Sequence, residues 1–384
     1  MREQTRVIDT PQKLDEVAQC LTAAPVIAID TEFIRERTYY PLPCLLQVGT
    51  HSNQFALDVR TLSADALKSS INDVLFDSAK TKILHAGFQD LEVLELLFGD
   101  LPTPIFDTQI AEAFLSTQIQ IGYGALVEKY LHITLPKASS LTDWTRRPLD
   151  LSQIRYALDD VKYLPKIYDA MKQKLLNLGR YSWVLPEFQD EIVRAKEHED
   201  SASAYRHIKR ISSLRPKELV VAKEVATWRE ERAQSLNKPR RSVLADEVVL
   251  SIAHLRRPTP DKIRKIRSTS HLNERDVEEI ARIAETARKN PFHPEEDAPQ
   301  QQKDPRGTQA VVDLLFSYVR VLSEKEQIAP AVLASKDDII NFIREDEDSR
   351  LFTGWRWEIA GRPMKNILTG RAGLYVHDGE VRLK

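Results

Sequence analysis

The stretch Val26 to Phe33, VIAIDTEF, decides how the rest of the chain is read. It opens on β-branched and small apolar residues, the composition of a strand buried on both faces. Two carboxylates, Asp30 and Glu32, follow two residues apart, and side chains at i and i+2 on a strand point to one side. Like charges at that spacing raise each other's pKa unless something neutralises them, and oxygen-only ligands suit a hard divalent cation.

Outward from that stretch, residues 1 to about 180 alternate short apolar strands with helical patterns, which argues for an α/β domain. CLLQVGT and QFALDV come next, and with VIAIDTEF they make a three-stranded meander the simple expectation. Helical patterns cover Ala64 to Phe76 and about Gln89 to Phe98, separated by the strand KILHA; Gly99 stands where a helix C-terminus favours a left-handed residue. PIFDT reads as a further strand. Residues 152–178 show one long amphipathic stripe through Ile154, Leu158, Val161, Met171, Leu175 and Leu178, with Ser152 near its start and Pro165 expected to kink or split it.

At 384 residues the chain is long enough for two or three cores. Its 42% hydrophobic and 29% charged composition is that of a globular protein. The start, MREQTRVIDTPQKL, carries charges where a signal peptide needs an apolar core, and no long apolar run follows, so no membrane association and a cytoplasmic location are expected. Cys20 and Cys44 form no metal-spacing pair and are expected to be buried thiols.

A net charge of −2 hides a division. Residues 1–200 carry 21 Lys+Arg against 29 Asp+Glu, whereas residues 201–290 carry 21 against 12. An acidic half joined to a basic, all-helical stretch suggests metal chemistry in the first and a polyanion in the second. The segment PFHPEEDAPQQQKDPRG has the composition of a linker, and a last unit ends in GLYVHDGEVRLK, whose Asp378-Gly379 pair signals a hairpin.

No glycine precedes a lysine, and neither G-x-G-x-x-G nor H-E-x-x-H occurs, which removes the P-loop, the dinucleotide fingerprint and zincin chemistry, and with them a nucleotide cofactor. Further acids do occur. In KILHAGFQDLEVL, Asp90 stands at the opening of a helix, where the helix dipole favours a negative charge. In YALDD, Tyr156 and Asp160 are i and i+4 on one face, and Asp159 lies close enough that helical geometry alone does not choose between the two acids.

Taken in order, D-x-E, then D, then Y-x-x-x-D, these residues resemble the DEDD superfamily of 3′-5′ exonucleases in its tyrosine-bearing DEDDy branch, and within it the ribonuclease D family. RTYYPLPCLLQVG, HAGFQDLEVL and DWTRRPLDLSQIRYALDDVKYL carry the likeness beyond the acids. The resemblance selects Asp160 over Asp159. It implies an RNase H-like α/β exonuclease domain with a mixed sheet over residues 1–200, a helical HRDC domain over 201–290, a linker at 291–307 and a second, divergent HRDC-like domain over 308–384.

It also implies a chemistry. Asp30, Glu32, Asp90 and Asp160 would hold two divalent ions, Mg²⁺ or Mn²⁺, for an in-line displacement at phosphorus that releases nucleoside 5′-monophosphates from RNA 3′ ends. Tyr156, a poor base at pH 7, is expected to orient the nucleophile. Thr31, Phe33, His85 and Gln89 are candidate contacts to the terminal nucleotide; Arg256, Arg257, Lys262, Arg264, Lys265 and Arg267 form the densest basic run and are expected to follow the RNA backbone. A monomer acting on tRNA precursors with 3′ extensions is the family expectation. A DNA exonuclease of the proofreading or helicase-associated kind, or a non-catalytic RNA-binding scaffold, are the rival readings.

Overall fold

The structure, a computed structural model, describes residues 7–136, 142–196, 201–290, 308–347 and 349–384. The expected linker at 291–307 lies outside the described residues. The described residues form two compact units: those within 1–32, 43–195 and 304–384 make one, and those within 33–42 and 196–303 make the other.

The first unit is built on a six-stranded mixed sheet: β1 (Val7–Ile8), β2 (Val26–Ile34), β3 (Leu42–Gly49), β4 (Gln54–Leu57), β5 (Thr81–Leu84) and β6 (Ile105–Asp107), in the order β1-β4-β3-β2-β5-β6. The three strands of the expected meander are adjacent. β5 runs parallel to both β2 and β6, and β3 runs antiparallel to β4. β2 is central, so Val26, Ile27, Ala28 and Ile29 are all buried; Asp30 is half-buried, Thr31 is buried again, and the strand opens out from Glu32 onward.

Helices α1 (Pro11–Ala23), α2 (Ala64–Leu75), α3 (Phe88–Phe98), α4 (Thr108–Ala113) and α5 (Tyr123–Leu131) connect and flank the strands. α3 stops at Gly99, whose φ of 86° places it in the left-handed region where a side chain is strained. The long amphipathic stripe is two helices, α6 (Leu151–Lys162) and α7 (Leu164–Asn177), because Pro165 offers no N–H to continue the first. Two expectations for it fail. α6 is capped by Asp150, whose N–H is accepted by Gln153 Oε1 at 2.9 Å, not by Ser152, and Leu178 is 48% exposed just beyond the end of α7. Cys44 is buried as expected but Cys20 is only half-buried.

α8 (Tyr181–Lys196) carries the seat of the C-terminal residues. The rings of Trp183 and Trp355 stack at 4.8 Å, Arg356 Nη2 lies 2.6 Å from Glu187 Oε1, and the Ala329 N–H donates to the Ala113 carbonyl. Arg180, itself buried, donates to the carbonyls of Phe114 and Glu326. A 19-residue helix, Thr308–Glu326, and shorter ones up to Leu368 pack around Leu315, Val319, Leu333, Ile339, Phe342 and Met364, and β7 (Leu374–His377) with β8 (Glu380–Leu383) forms the hairpin expected around Asp378-Gly379.

The second unit is helical: α9 (Pro216–Leu236), α10 (Arg240–Val243), α11 (Asp246–His254), α12 (Pro260–Arg264) and α13 (Glu274–Lys289), packed around Val221, Val225, Val249, Ile252 and Ile280. It also holds the loop between β2 and β3. The Tyr39 hydroxyl donates to the fully buried Glu230, Gln234 Nε2 reaches the same hydroxyl at 3.2 Å, and Asn237 Oδ1 accepts from the backbone N–H groups of both Tyr39 and Tyr40 at 3.1 Å. Arg240 pairs with Glu230 at 2.6 Å and sits over the Tyr39 ring. A buried carboxylate that loses a donor is costly, so Tyr39→Phe is expected to destabilise this unit by about 1–2 kcal/mol. Hydrogen exchange at the α9 amides of the full chain measures it, and unchanged protection would show that the loop is not held this way.

Candidate active site

Asp30 and Glu32 stand two residues apart in the second half of β2 and so point to the same side, as the strand period dictates. Asp160 reaches them from α6. That approach needs Gly49 on β3, where an added Cβ would lie 2.8 Å from the Val161 carbonyl oxygen, so any side chain would push the helix off the sheet. One carboxylate oxygen each from Asp30, Glu32 and Asp160 fall within 4.8 Å of one another. At that separation two unit charges repel by roughly 3 kcal/mol at an effective dielectric near 20.

Asp90 is brought in by α3, and it is fixed from behind. Its Oδ1 accepts from the backbone N–H of Thr31 at 3.1 Å and from the Thr31 hydroxyl, so the residue between the two β2 acids orients the third. The turn before α3 places Ala86 at a φ of 54°, and the Gly87 N–H donates to buried Asp107 at 2.8 Å, which sets the first turn of the helix.

Burial, with repulsion from neighbouring carboxylates, pushes all four acids toward neutrality. Burial, and after it Asp90, Asp160 and Glu32, hold Asp30 well above the usual carboxylate range. Burial with Asp160 and Asp90 pushes Glu32 up to about 8. Burial raises Asp90 to about 7 against the opposing Thr31 hydrogen bonds, and burial with Asp159 raises Asp160 to about 7 against a hydrogen bond from Tyr156. The Tyr156 phenol is shifted up by burial and then by Asp160, so it is protonated and a donor at neutral pH.

The structure separates the two neighbouring acids that helical geometry left open. Asp160 joins the cluster, whereas Asp159 pairs with Lys162 at 3.3 Å and its carbonyl accepts from the Tyr123 hydroxyl at 2.8 Å. Of the expected nucleotide contacts, Thr31 is buried with its hydroxyl engaged by Asp90. His85 is half-buried, with Nδ1 2.9 Å from the Thr108 hydroxyl and its pKa lowered by burial. Gln89 is exposed on the first turn of α3, and Phe33 opens the segment that belongs to the second unit. Arg256, Arg257, Lys262, Arg264, Lys265 and Arg267 are all exposed on the α11–α12 side of that unit, with Arg264 also donating to the Leu272 carbonyl at 3.0 Å.

The DWTRRPLD arm, Asp143 to Asp150, bears on the site through contacts that its sequence does not announce. Trp144 of that arm is buried with its ring 6.1 Å from the Tyr156 ring, and Arg147 is tied to Asp58, 89 positions away.

The chain is 34% identical to ribonuclease D of Sphingobium indicum and 34% identical to ribonuclease D of Nitrobacter hamburgensis, covering 98% of this chain and 98% of the relative in each case. It belongs to the ribonuclease D family. The 3′-5′ exonuclease family matches residues 5–176 and the HRDC domain family matches residues 218–283. Among solved structures, Escherichia coli RNase D, described as an exoribonuclease involved in structured RNA processing, superposes with a TM-score of 0.79 at 30% identity, covering 95% of this chain and 98% of the other. The catalytic core of RRP6 from Trypanosoma brucei gives 0.56 at 25% identity over 73% of this chain and 79% of the other. Membership of the ribonuclease D family makes this chain a hydrolytic 3′-5′ exoribonuclease with a mixed α/β exonuclease fold and a C-terminal HRDC domain. No helix among the described residues is long and apolar enough to cross a membrane.

An all-carboxylate donor set of this kind fits a hard divalent cation. A pH dependence follows for the metal-free protein. Glu32, Asp90 and Asp160 have folded pKa values of about 8, 7 and 7, above the roughly 4 of an unfolded carboxyl, so the folded state holds more protons between those limits. Their contribution is fully present at low pH and is lost as pH rises from about 4 to about 8. The rise in melting temperature on adding Mn²⁺ is therefore expected to be larger at pH 8 than at pH 5. Asp30→Asn is expected to stabilise the metal-free protein at pH 8 by about 1 kcal/mol or more while removing cleavage. A destabilised Asp30→Asn protein would contradict the repulsion.

Proposed function

We propose that this exoribonuclease trims 3′ ends of structured RNA such as tRNA precursors, with Asp30, Glu32, Asp90 and Asp160 holding two divalent ions, Mg²⁺ or Mn²⁺. The observation that carries this reading is the meeting of Asp30, Glu32 and Asp160 within 4.8 Å at the end of the sheet, with Asp90 fastened beside them. When bound, such ions supply charge neutralisation at the scissile phosphate and an activated water at neutral pH.

The chain's own residues do the rest. Thr31 keeps the Asp90 carboxylate aimed at the cluster, through two hydrogen bonds to one oxygen. Tyr156, protonated at neutral pH, is a fixed donor for aligning the attacking water and not a proton acceptor. The exposed basic run from Arg256 to Arg267 supports contacts to the RNA backbone by the helical unit. Structured RNA as the substrate class is supported by the description of the E. coli relative. The protein is taken to act as a monomer.

The test is to incubate a tRNA bearing a short 3′ extension with the protein, with and without Mg²⁺, alongside DNA of the same sequence. Metal-dependent release of nucleoside 5′-monophosphates from RNA in preference to DNA is expected; metal-independent or internal cleavage would remove the reading. Tyr156→Phe is expected to slow the single-turnover step by roughly a hundredfold with RNA affinity retained. Replacing Arg256, Lys262 and Lys265 by Ala together should flatten the salt dependence of RNA binding without slowing cleavage at saturating RNA. An unchanged salt slope would detach that run from the RNA.

A further inference from the structure

Arg147 sits in the loop between α5 and α6, and it has no donor left for a substrate. A guanidinium carries five N–H groups. Nε donates to Asp58 Oδ2 at 2.6 Å and Nη2 to Asp58 Oδ1 at 2.7 Å, a bidentate fork on a carboxylate that is itself buried at the end of β4. The second proton on Nη2 goes to the Cys44 carbonyl on β3 at 3.1 Å, and the two on Nη1 go to the carbonyls of Trp144 and Arg146 at 2.7 and 2.8 Å. Every donor is matched. Three of the bonds fix the guanidinium to the sheet, and two hold the loop that carries Trp144.

What that loop supports is the helix of Tyr156. Trp144 is 4% exposed, and its ring lies 6.1 Å from the Tyr156 ring at an interplanar angle of 39°. The same loop is pinned to the first turn of α6, where buried Gln153 donates from Nε2 to the Thr142 hydroxyl at 2.8 Å. A phenol that aligns a reacting water must be held to within a fraction of an ångström, and a misplacement of about 1 Å costs roughly a hundredfold in rate. Tyr156 has rotamer freedom of its own, and the Trp144 ring takes up one side of it.

We propose that Arg147, clamped by Asp58, is a positioning residue for Tyr156 and acts through Trp144. The proposal rests on the role given to Tyr156 above. Two arginines stand side by side here, and only Arg146 is exposed enough to meet a phosphate directly; Arg147 is committed to protein acceptors.

The experiment is a double-mutant cycle on single-turnover cleavage of a 3′-tailed RNA oligonucleotide. Arg147→Lys keeps the charge but loses the fork. It is expected to lower the rate roughly tenfold or more, with the KM for RNA and the half-saturating Mn²⁺ concentration unchanged. In the Tyr156→Phe background the same change should add little, because both act on one element. Near-ultraviolet circular dichroism of the metal-free Arg147→Lys protein should change as the Trp144 ring loses its setting. Trp144→Phe and Asp58→Asn, each checked by its melting curve, should reproduce the pattern if Arg147→Lys folds poorly.

A wild-type rate for Arg147→Lys overturns the proposal. So does an unchanged rate with a raised KM, which would make Arg147 a phosphate contact, and so does an unchanged dichroism spectrum. If Tyr156→Phe is slow but Arg147→Lys multiplies that loss independently, the proposal fails and the role of Tyr156 stands. If Tyr156→Phe cleaves at the wild-type rate, both fall together.

Discussion

Four carboxylates forced together at the end of a buried sheet set the terms for the exonuclease unit. Among Asp30, Glu32 and Asp160, which approach within 4.8 Å, a pair of full charges would repel by roughly 3 kcal/mol, a large share of the marginal stability of a domain, and the fold holds them there by backbone and hydrogen-bonded fixtures around the site. β2 fixes Asp30 and Glu32 by its pleat, Thr31 fixes Asp90, and the contact of Gly49 with Val161 fixes how near α6 brings Asp160. Each fixture is a backbone or buried feature, so relaxation of the acids away from one another is blocked. The remaining route to relief is a bound cation or protonation.

The electrostatics and the packing therefore make one design. Raising the pKa of Glu32 to about 8 and of Asp90 and Asp160 to about 7 is a cost of folding without a cation, and the same arrangement would favour a divalent cation held there. The phenol of Tyr156 belongs to this balance. It lies against Asp160 and Trp144, between the acidic cluster and the loop clamped by Arg147 and Asp58.

Much of this was legible in the sequence where the signal is local. VIAIDTEF announces a doubly buried strand that ends in two acids because strand alternation and apolar composition act over a few residues, and HAGFQDL announces an acid at a helix start for the same reason. What was not legible depends on pairs far apart in the chain. Helix periodicity alone left Asp159 and Asp160 open and the family motif picked Asp160, but the close contact of Val161 with Gly49 that seats α6 on the sheet could not be read from either. The partners Arg147 and Asp58 are separated by 89 positions, and Tyr39 and Glu230 by 191; neither leaves a periodic trace. The hydrogen bond from the Thr31 hydroxyl to Asp90, 59 positions away, leaves no local trace either. Local misreadings were smaller: Asp150 caps α6 in place of Ser152 because the Gln153 side chain closes back on its N–H, and Leu178 falls outside the buried stripe because α7 has ended.

The central claim is that the carboxylate cluster is a site for two divalent cations. Counting Mn²⁺ bound to the purified protein by electron paramagnetic resonance at pH 8 tests it most directly, without RNA and without turnover. The account predicts two ions per chain, with a spin-coupled signal from neighbouring ions, and loss of that signal in Asp160→Asn with the fold intact. Binding that is absent, or that is the same in Asp160→Asn as in the unaltered protein, would contradict it.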